Sequence, residues 1–125
     1  MIKQIKSSEI KNFLVDNKNV ELLDVRTQDE WDSVGKPDGD KLGLKTHFVT
    51  IVRSPEPSAN KDFIKEVKKL IDSNKKLLVM CKAGGRSMMA SQLLSQENIT
   101  CINISDGFEG NGENAGWKNE GLPSK

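Results

Sequence analysis

Residues 81 to 87 read "CKAGGRS" and lie between the apolar run "KLLVM" and "MMASQLL", whose spacing is helical. A loop of small residues between a strand and a helix leaves backbone N–H groups free to point inward, and Arg86 at its far end adds positive charge. Such a loop binds an anion. Either Cys81 supplies that anion itself, as a thiolate, or the loop is only a tight turn that closes a core strand with an inert cysteine. The amides of Ala83 to Ser87 and the positive end of the following helix favour a thiolate over a thiol. Gly84 and Gly85 suit a backbone that must turn its amides inward, through φ values that side chains oppose. Cys81 is therefore the candidate nucleophile, and Lys82, Ala83, Gly84, Gly85, Arg86 and Ser87 form the candidate substrate-binding loop. Lys82 projects from the rim, as an attractor for an anionic donor or as an ordinary solvated lysine. Arg86 is expected to fold back onto Asp24 or Glu30, since Arg makes rigid bidentate pairs with carboxylates.

The elements that must position this loop follow an α/β rhythm, with strand-length apolar runs alternating with helix-period segments. "IKQI" reads as a short edge strand, followed by a helix over "SSEIKNFLVD" with Ser7 or Ser8 as N-cap and Ile10, Phe13 and Leu14 on one face. "VELLDV" is the next strand. Thr27 and Glu30 have the spacing of a capping box, which starts a short helix that stops near Gly35. "KPDGDKLGLKT" reads as loop, "HFVTIV" as strand and "SPEPSAN" as loop, with Asn60 capping a helix over "KDFIKEVKKLID". That helix places Phe63, Ile64, Val67, Leu70 and Ile71 on one stripe. "KLLVM" and "CINI" are continuous apolar strands suited to a sheet covered on both faces, with a helix over "RSMMASQLLSQ" between them. The tail from Gly107, rich in Gly and Asn, is expected to wrap the surface irregularly. The expected architecture is a parallel sheet with helices on both faces. In such sheets ligands bind outside the carboxyl ends of the strands, where Cys81, Asp24 and Arg26 fall.

Composition excludes several classes. At 125 residues the chain fits one domain, spanning 1–125. Nineteen Lys and Arg against 18 Asp and Glu leave a net charge of +1, which supports neither nucleic-acid nor anionic-membrane partners. No run approaches the roughly 20 apolar residues of a membrane span, and "MIKQIKSSEIK" lacks the apolar core of a signal peptide, so a cytoplasmic location is expected. Two cysteines are too few for a disulfide framework. Cys101, inside the "CINI" strand, reads as a small core residue rather than a resolving thiol. His47 opens a strand and reads as a satisfied structural histidine, and core packing is the default for Met88 and Met89. Trp31 is expected to pack its helix on the sheet, and Trp117 to anchor the tail or border the pocket. Asp24 and Arg26 are supporting residues at a strand end. No Cys/His spacing suggests zinc and no Gly-x-Gly-x-x-Gly suggests a dinucleotide, so neither metal nor cofactor is expected.

"LLDVR…EW", the Cys-x-x-Gly-x-Arg-Ser pattern of "CKAGGRS" and "ISDGFEG…GW…GLP" together resemble the single-domain rhodaneses, the thiosulfate-type sulfurtransferases. The resemblance spans nearly the whole chain and is most specific at the Cys loop. It implies a five-stranded parallel sheet flanked by helices, and a catalytic cysteine, here Cys81, that takes up sulfane sulfur as a persulfide. Members of this family commonly carry a Gly-His-Ile-Pro-Gly-Ala turn after the first acidic-aromatic helix. This chain reads "VGKPDGDKLGLKTHF" there, with Pro37 and Gly39 but no matching histidine. Three functions stay open: a sulfurtransferase passing sulfur from a small-molecule donor to an acceptor that is a small molecule or a protein thiol; a catalytically idle rhodanese-like binding or sulfur-carrier module; and a Cys-dependent phosphatase or arsenate reductase. Only four residues separate Cys81 from Arg86, against five in phosphate-binding relatives of the fold, and Met80 stands where a histidine often precedes the phosphatase cysteine.

Overall fold

The computed structural model describes residues 2–53, 58–72 and 74–125. Its centre is a five-stranded sheet in the order β1-β7-β6-β2-β3, with every neighbouring pair parallel. The strands are β1 (Lys3–Ile5), β2 (Val20–Asp24), β3 (Thr46–Phe48), β6 (Lys76–Met80) and β7 (Cys101–Ile104). A two-stranded antiparallel ribbon, β4 (Val52–Arg53) and β5 (Ser58–Ala59), lies outside it. The helices are α1 (Ile10–Asp16), α2 (Gln28–Val34), α3 (Phe63–Leu70) and α4 (Gly85–Ser95).

Every residue of β2 and β7 is buried, as expected where both faces of a parallel sheet are covered. Alternate residues feed two cores. Leu23, Val25, Leu77, Val79, Cys81 and Cys101 pack with Phe63 and Val67 of α3 and Ala90 and Leu94 of α4. Leu22, Leu78, Met80, Ile102 and Ile104 face the other way and pack with Ile10, Phe108, Trp117 and Leu122, with Phe13 and Leu14 of α1 alongside.

Several expectations need correction. Ser7 and Ser8 do not cap α1: residues Ser7–Glu9 form a 3-10 turn, and Ser7 is buried, its N–H and hydroxyl both donating to Asp106 Oδ1 at 2.9 and 2.8 Å. The strand expected over 47–52 ends at Phe48, because beyond it the chain follows the loop after β2. There Val49 N–H donates to the Asp24 carbonyl and Ile51 N–H to that of Val25. The 36–46 segment contains a 3-10 turn, Gly39–Leu42, that ends on a left-handed Gly43 and delivers Leu44 to the core. Asn60 does anchor the third helix, its Oδ1 accepting from Asp62 N–H at 3.1 Å, but the α-helix proper starts at Phe63 and stops at Leu70. The loop expected over 54–60 lies outside the described residues at 54–57. Leu70 is 46 % and Met89 45 % exposed, so neither is a core residue, and Met88 is only half-buried.

The largest departure is the tail. Its backbone is irregular, as expected, but it forms a core layer rather than a surface wrap. Phe108 and Trp117 are fully buried, and Trp117 Nε1–H donates to the Pro123 carbonyl at 2.7 Å. Asp106 fastens this layer: besides Ser7 it receives Gly116 N–H at 3.0 Å. Three good hydrogen bonds to one buried carboxylate tie the N-terminal turn to the C-terminal tail, 99 positions apart in sequence.

Candidate functional site

β6 ends at Met80, and Cys81 follows directly, with Val25 N–H donating to the Met80 carbonyl so that the loop after β2 lies alongside. Cys81 is 1 % exposed, and its Sγ has two polar neighbours: Gly84 N–H donates to it at 3.1 Å, and Ser87 Oγ stands 3.3 Å away. α4 begins at Gly85 with Gly84 as its N-cap in the left-handed region at φ 105°. The first amides of a helix have no carbonyl in a preceding turn, so the sulfur sits at the positive end of α4. Cys101, by contrast, is held in the apolar core, and burial pushes its thiol up to about 12.

The two loop glycines differ. A Cβ on Gly84 would collide with the Ser105 carbonyl, and φ there is positive, so the residue is required twice over. Gly85 has ordinary helical surroundings, and a Cβ there meets nothing within 4 Å. The expectation that both glycines serve close backbone approach holds only for Gly84; Gly85 marks open space over the loop. From the other side the tail closes in. Phe108 N–H donates to the Cys81 carbonyl at 2.8 Å and Glu109 N–H to that of Lys82 at 3.0 Å. Lys82 and Ala83 themselves are exposed on the rim.

Arg86 chooses Glu30. Its two terminal nitrogens donate to the two carboxylate oxygens at 2.7 and 2.8 Å, and Glu30 Oε1 also accepts Thr27 N–H at 3.1 Å within the capping box that starts α2. Burial by itself would raise the Glu30 carboxyl. The hydrogen bonds from Arg86 and Thr27 and the Arg86 charge outweigh burial and hold it at about 2. Arg86 is raised correspondingly, chiefly by its hydrogen bond to Glu30 and further by the Glu30 charge. Asp24 is unavailable to Arg86 because it is taken by Arg26. Both are fully buried, the Arg26 Nε donating to both Asp24 oxygens and Nη2 to Oδ2 at 2.8 Å. Arg26 Nη2 also donates to the Gly35 carbonyl at 2.9 Å, and the guanidinium lies 4.2 Å over the Phe108 ring. This pair braces the base of the tail beside the loop. It does not touch the sulfur.

His47 is buried on β3 with its Nε2 2.7 Å from Glu21 Oε1 on β2, a closed structural pair. Trp31 packs edge-to-face on Phe48 at 5.4 Å and so seats α2 at the β3 edge. Sequence reasoning missed Asn103, a buried amide on β7 that reaches Ser87 Oγ at 2.5 Å and the Gly84 carbonyl at 3.1 Å. The signal was an Asn inside the apolar run "CINI". Among the described residues no group of three His, Cys, Asp or Glu side chains is placed to hold a metal ion, and no helix is long and apolar enough to cross a membrane.

A family model described as "Rhodanese-like domain" matches residues 7–113. An uncharacterized protein of Rickettsia prowazekii (strain Madrid E) is 34 % identical over 124 residues, covering 98 % of this chain and 97 % of its own. The crystal structure of Rv0390 from M. tuberculosis is similar at a TM-score of 0.86 and 32 % identity, with 98 % of this chain and 96 % of that one covered. A protein of unknown function from Rhodopseudomonas palustris, described as a possible tyrosine phosphatase, shares the fold at a TM-score of 0.61 and 19 % identity, over 99 % and 85 % of the two chains.

Proposed function

The chain belongs to the rhodanese-like domain family, and from that premise we propose that it is a sulfurtransferase that carries sulfane sulfur on Cys81. The observation that carries this reading is the Cys81 sulfur at the N-terminus of α4, with Gly84 N–H directed at it from 3.1 Å. The Cys81 thiolate attacks the outer sulfur of thiosulfate or a similar donor. An S–S bond forms to Cys81, the donor's own sulfur–sulfur bond breaks, and sulfite departs with the electron pair. A thiophilic acceptor, a small molecule or a protein thiol, then takes the terminal sulfur and returns the thiolate. A Cβ at Gly85 meets nothing, so this side of the loop is open to an incoming donor, and the exposed Lys82 supplies positive charge for an anionic one. No metal or organic cofactor takes part in this scheme, which suits a reducing compartment such as the cytoplasm, where both free cysteines stay as thiols.

Two observations weigh against phosphoryl transfer. The Arg86 charge is already met by the Glu30 carboxylate, which lessens its pull on phosphate oxygens, and the loop from Cys81 to Arg86 has only four intervening residues. Thiocyanate formation from thiosulfate and cyanide tests the reading directly. It is expected in the wild type and lost in Cys81→Ser, with a sulfur adduct of about 32 Da on the intact wild-type protein and an aryl phosphate left uncleaved. Cys81-dependent cleavage of the phosphate without thiocyanate would replace this reading by the phosphatase one. Neither reaction, with a folded protein, would leave the binding or carrier module.

A further inference from the structure

The Cys81 sulfur has two polar neighbours, and both are held by one side chain on the adjacent strand. Asn103 stands in register with Val79 of β6, two residues before Cys81, and so on the same face of the sheet. It is 1 % exposed. Its amide orientation is decided by its partners. The Gly84 carbonyl can only accept, so the Nδ2 side must face it, at 3.1 Å, and the second Nδ2 hydrogen goes to Gln4 Oε1, also at 3.1 Å. Oδ1 is thereby turned to Ser87 Oγ at 2.5 Å.

From this arrangement we infer that Asn103 is a positioning residue for Cys81, one that acts through Ser87 and Gly84 and rests on the reading of Cys81 as the nucleophile. Ser87 has a single hydroxyl hydrogen and three neighbours able to take it: Asn103 Oδ1, Cys81 Sγ at 3.3 Å and the Gly84 carbonyl at 3.2 Å. Met88 N–H occupies one lone pair of that carbonyl and Asn103 Nδ2 the other. With the carbonyl satisfied, the Ser87 hydrogen is shared between Asn103 and the sulfur. It rests on Oδ1 while Cys81 is a thiol and swings to Sγ when the sulfur is a thiolate, which attracts it more strongly than a neutral amide does. The same Nδ2 bond holds the carbonyl of Gly84, the residue whose own N–H, in the preceding peptide unit, points at the sulfur. Removing the amide loosens both: the Ser87 hydroxyl loses the partner that holds it beside the sulfur and is free to turn to the Gly84 carbonyl, and Gly84 loses a bond that fixes the residue whose N–H meets the sulfur. The charged groups around the sulfur are unchanged by this: Arg86 on α4 paired with Glu30 of α2, Lys82 on the rim, and the closed Asp24–Arg26 pair of the β2 end.

The test follows Cys81 ionisation by the pH dependence of iodoacetamide alkylation, read on the peptide that carries Cys81, so that it does not depend on any sulfur-transfer activity. In Asn103→Leu the alkylation midpoint is expected to move up by about one pH unit, as for loss of one charge-assisted hydrogen bond, and in Asn103→Asp further, because a carboxylate then holds the Ser87 hydrogen and adds negative charge one hydroxyl away from the sulfur. Ser87→Ala should give a shift of the same sign, and Asn103→Leu should add little on top of it, since much of its effect runs through that hydroxyl. Urea unfolding of each variant establishes that the measured species is folded. An unmoved midpoint in folded Asn103→Leu and Asn103→Asp, whatever their stability, overturns the inference. If neither folds, an unmoved midpoint in Ser87→Ala does so. Absence of thiocyanate in the wild type alongside a shifted midpoint would refute the sulfurtransferase reading and leave the positioning role standing.

Discussion

Replacing Glu30 by Gln removes the charge that holds Arg86 while keeping a side chain able to complete the capping box with Thr27. The structure sets the size of the effect. The fall of the Glu30 carboxyl from 4.5 to about 2, at about 1.4 kcal/mol per pH unit, bounds its net pH-dependent stabilisation at about 3.5 kcal/mol. Solvent reaches 21 % of the Glu30 and 27 % of the Arg86 side chain, so screening reduces the expected loss to about 1–2 kcal/mol at pH 7. The sign follows from the direction of the shift. A carboxyl held below its unfolded value stabilises the fold fully above about pH 4.5, and the stabilisation fades as pH falls through about 2. Urea unfolding of wild type and Glu30→Gln between pH 7 and pH 3 checks this. The gap between them should be largest at pH 7 and shrink to less than about half by pH 3. A gap that stays constant across that range, or no gap at pH 7, would show that the Glu30–Arg86 charge pair contributes nothing to stability.

The two loop glycines should part company: Gly84→Ala is expected to destabilise by about 2–4 kcal/mol, from positive φ and collision with the Ser105 carbonyl, while Gly85→Ala stays within about 0.5 kcal/mol, both read from urea midpoints. Cys101, with its thiol pushed up to about 12, should resist iodoacetamide in the native protein at pH 8 and react only in urea, so intact mass should show no more than one adduct before unfolding and two after it. Arg26→Ala strands the buried Asp24 carboxylate and should cost about 3–5 kcal/mol, whereas the paired change Asp24→Leu with Arg26→Met should cost clearly less; equal losses would show that the pair matters for packing alone. Asp106→Ala, which releases Ser7 and Gly116 together, should loosen the tail and speed hydrogen exchange at Trp117 N–H, whose acceptor is the Gly107 carbonyl; unchanged exchange there would refute the fastening role.

What could be read locally was decided by the sequence itself. The short runs "VELLD", "KLLVM" and "CINI" are strands because segments of this length, buried on successive side chains, suit a parallel sheet covered on both faces. Thr27 and Glu30 start a helix because a capping box closes within four residues, and a cysteine followed by small residues and a helix lies at a strand end whatever surrounds it. Periodicity says which way a residue faces but not what it meets. Arg86 had two carboxylates within its expected reach, and only the fold, by burying Arg26 against Asp24, left Glu30 as its partner from 56 positions away. The Gly- and Asn-rich tail lacked any period, so its role as a core layer arose from tertiary closure, where Asp106 receives Ser7 from 99 positions away. Met89 and Leu70 carried core-like chemistry on helix faces that the packing leaves open to solvent. Asn103 was an anomaly within an apolar strand until the sheet set β7 beside β6 and brought its amide under Gly84 and Ser87. Long-range partners are selected by the burial of everything around them, and that selection is a property of the folded chain rather than of any segment in it.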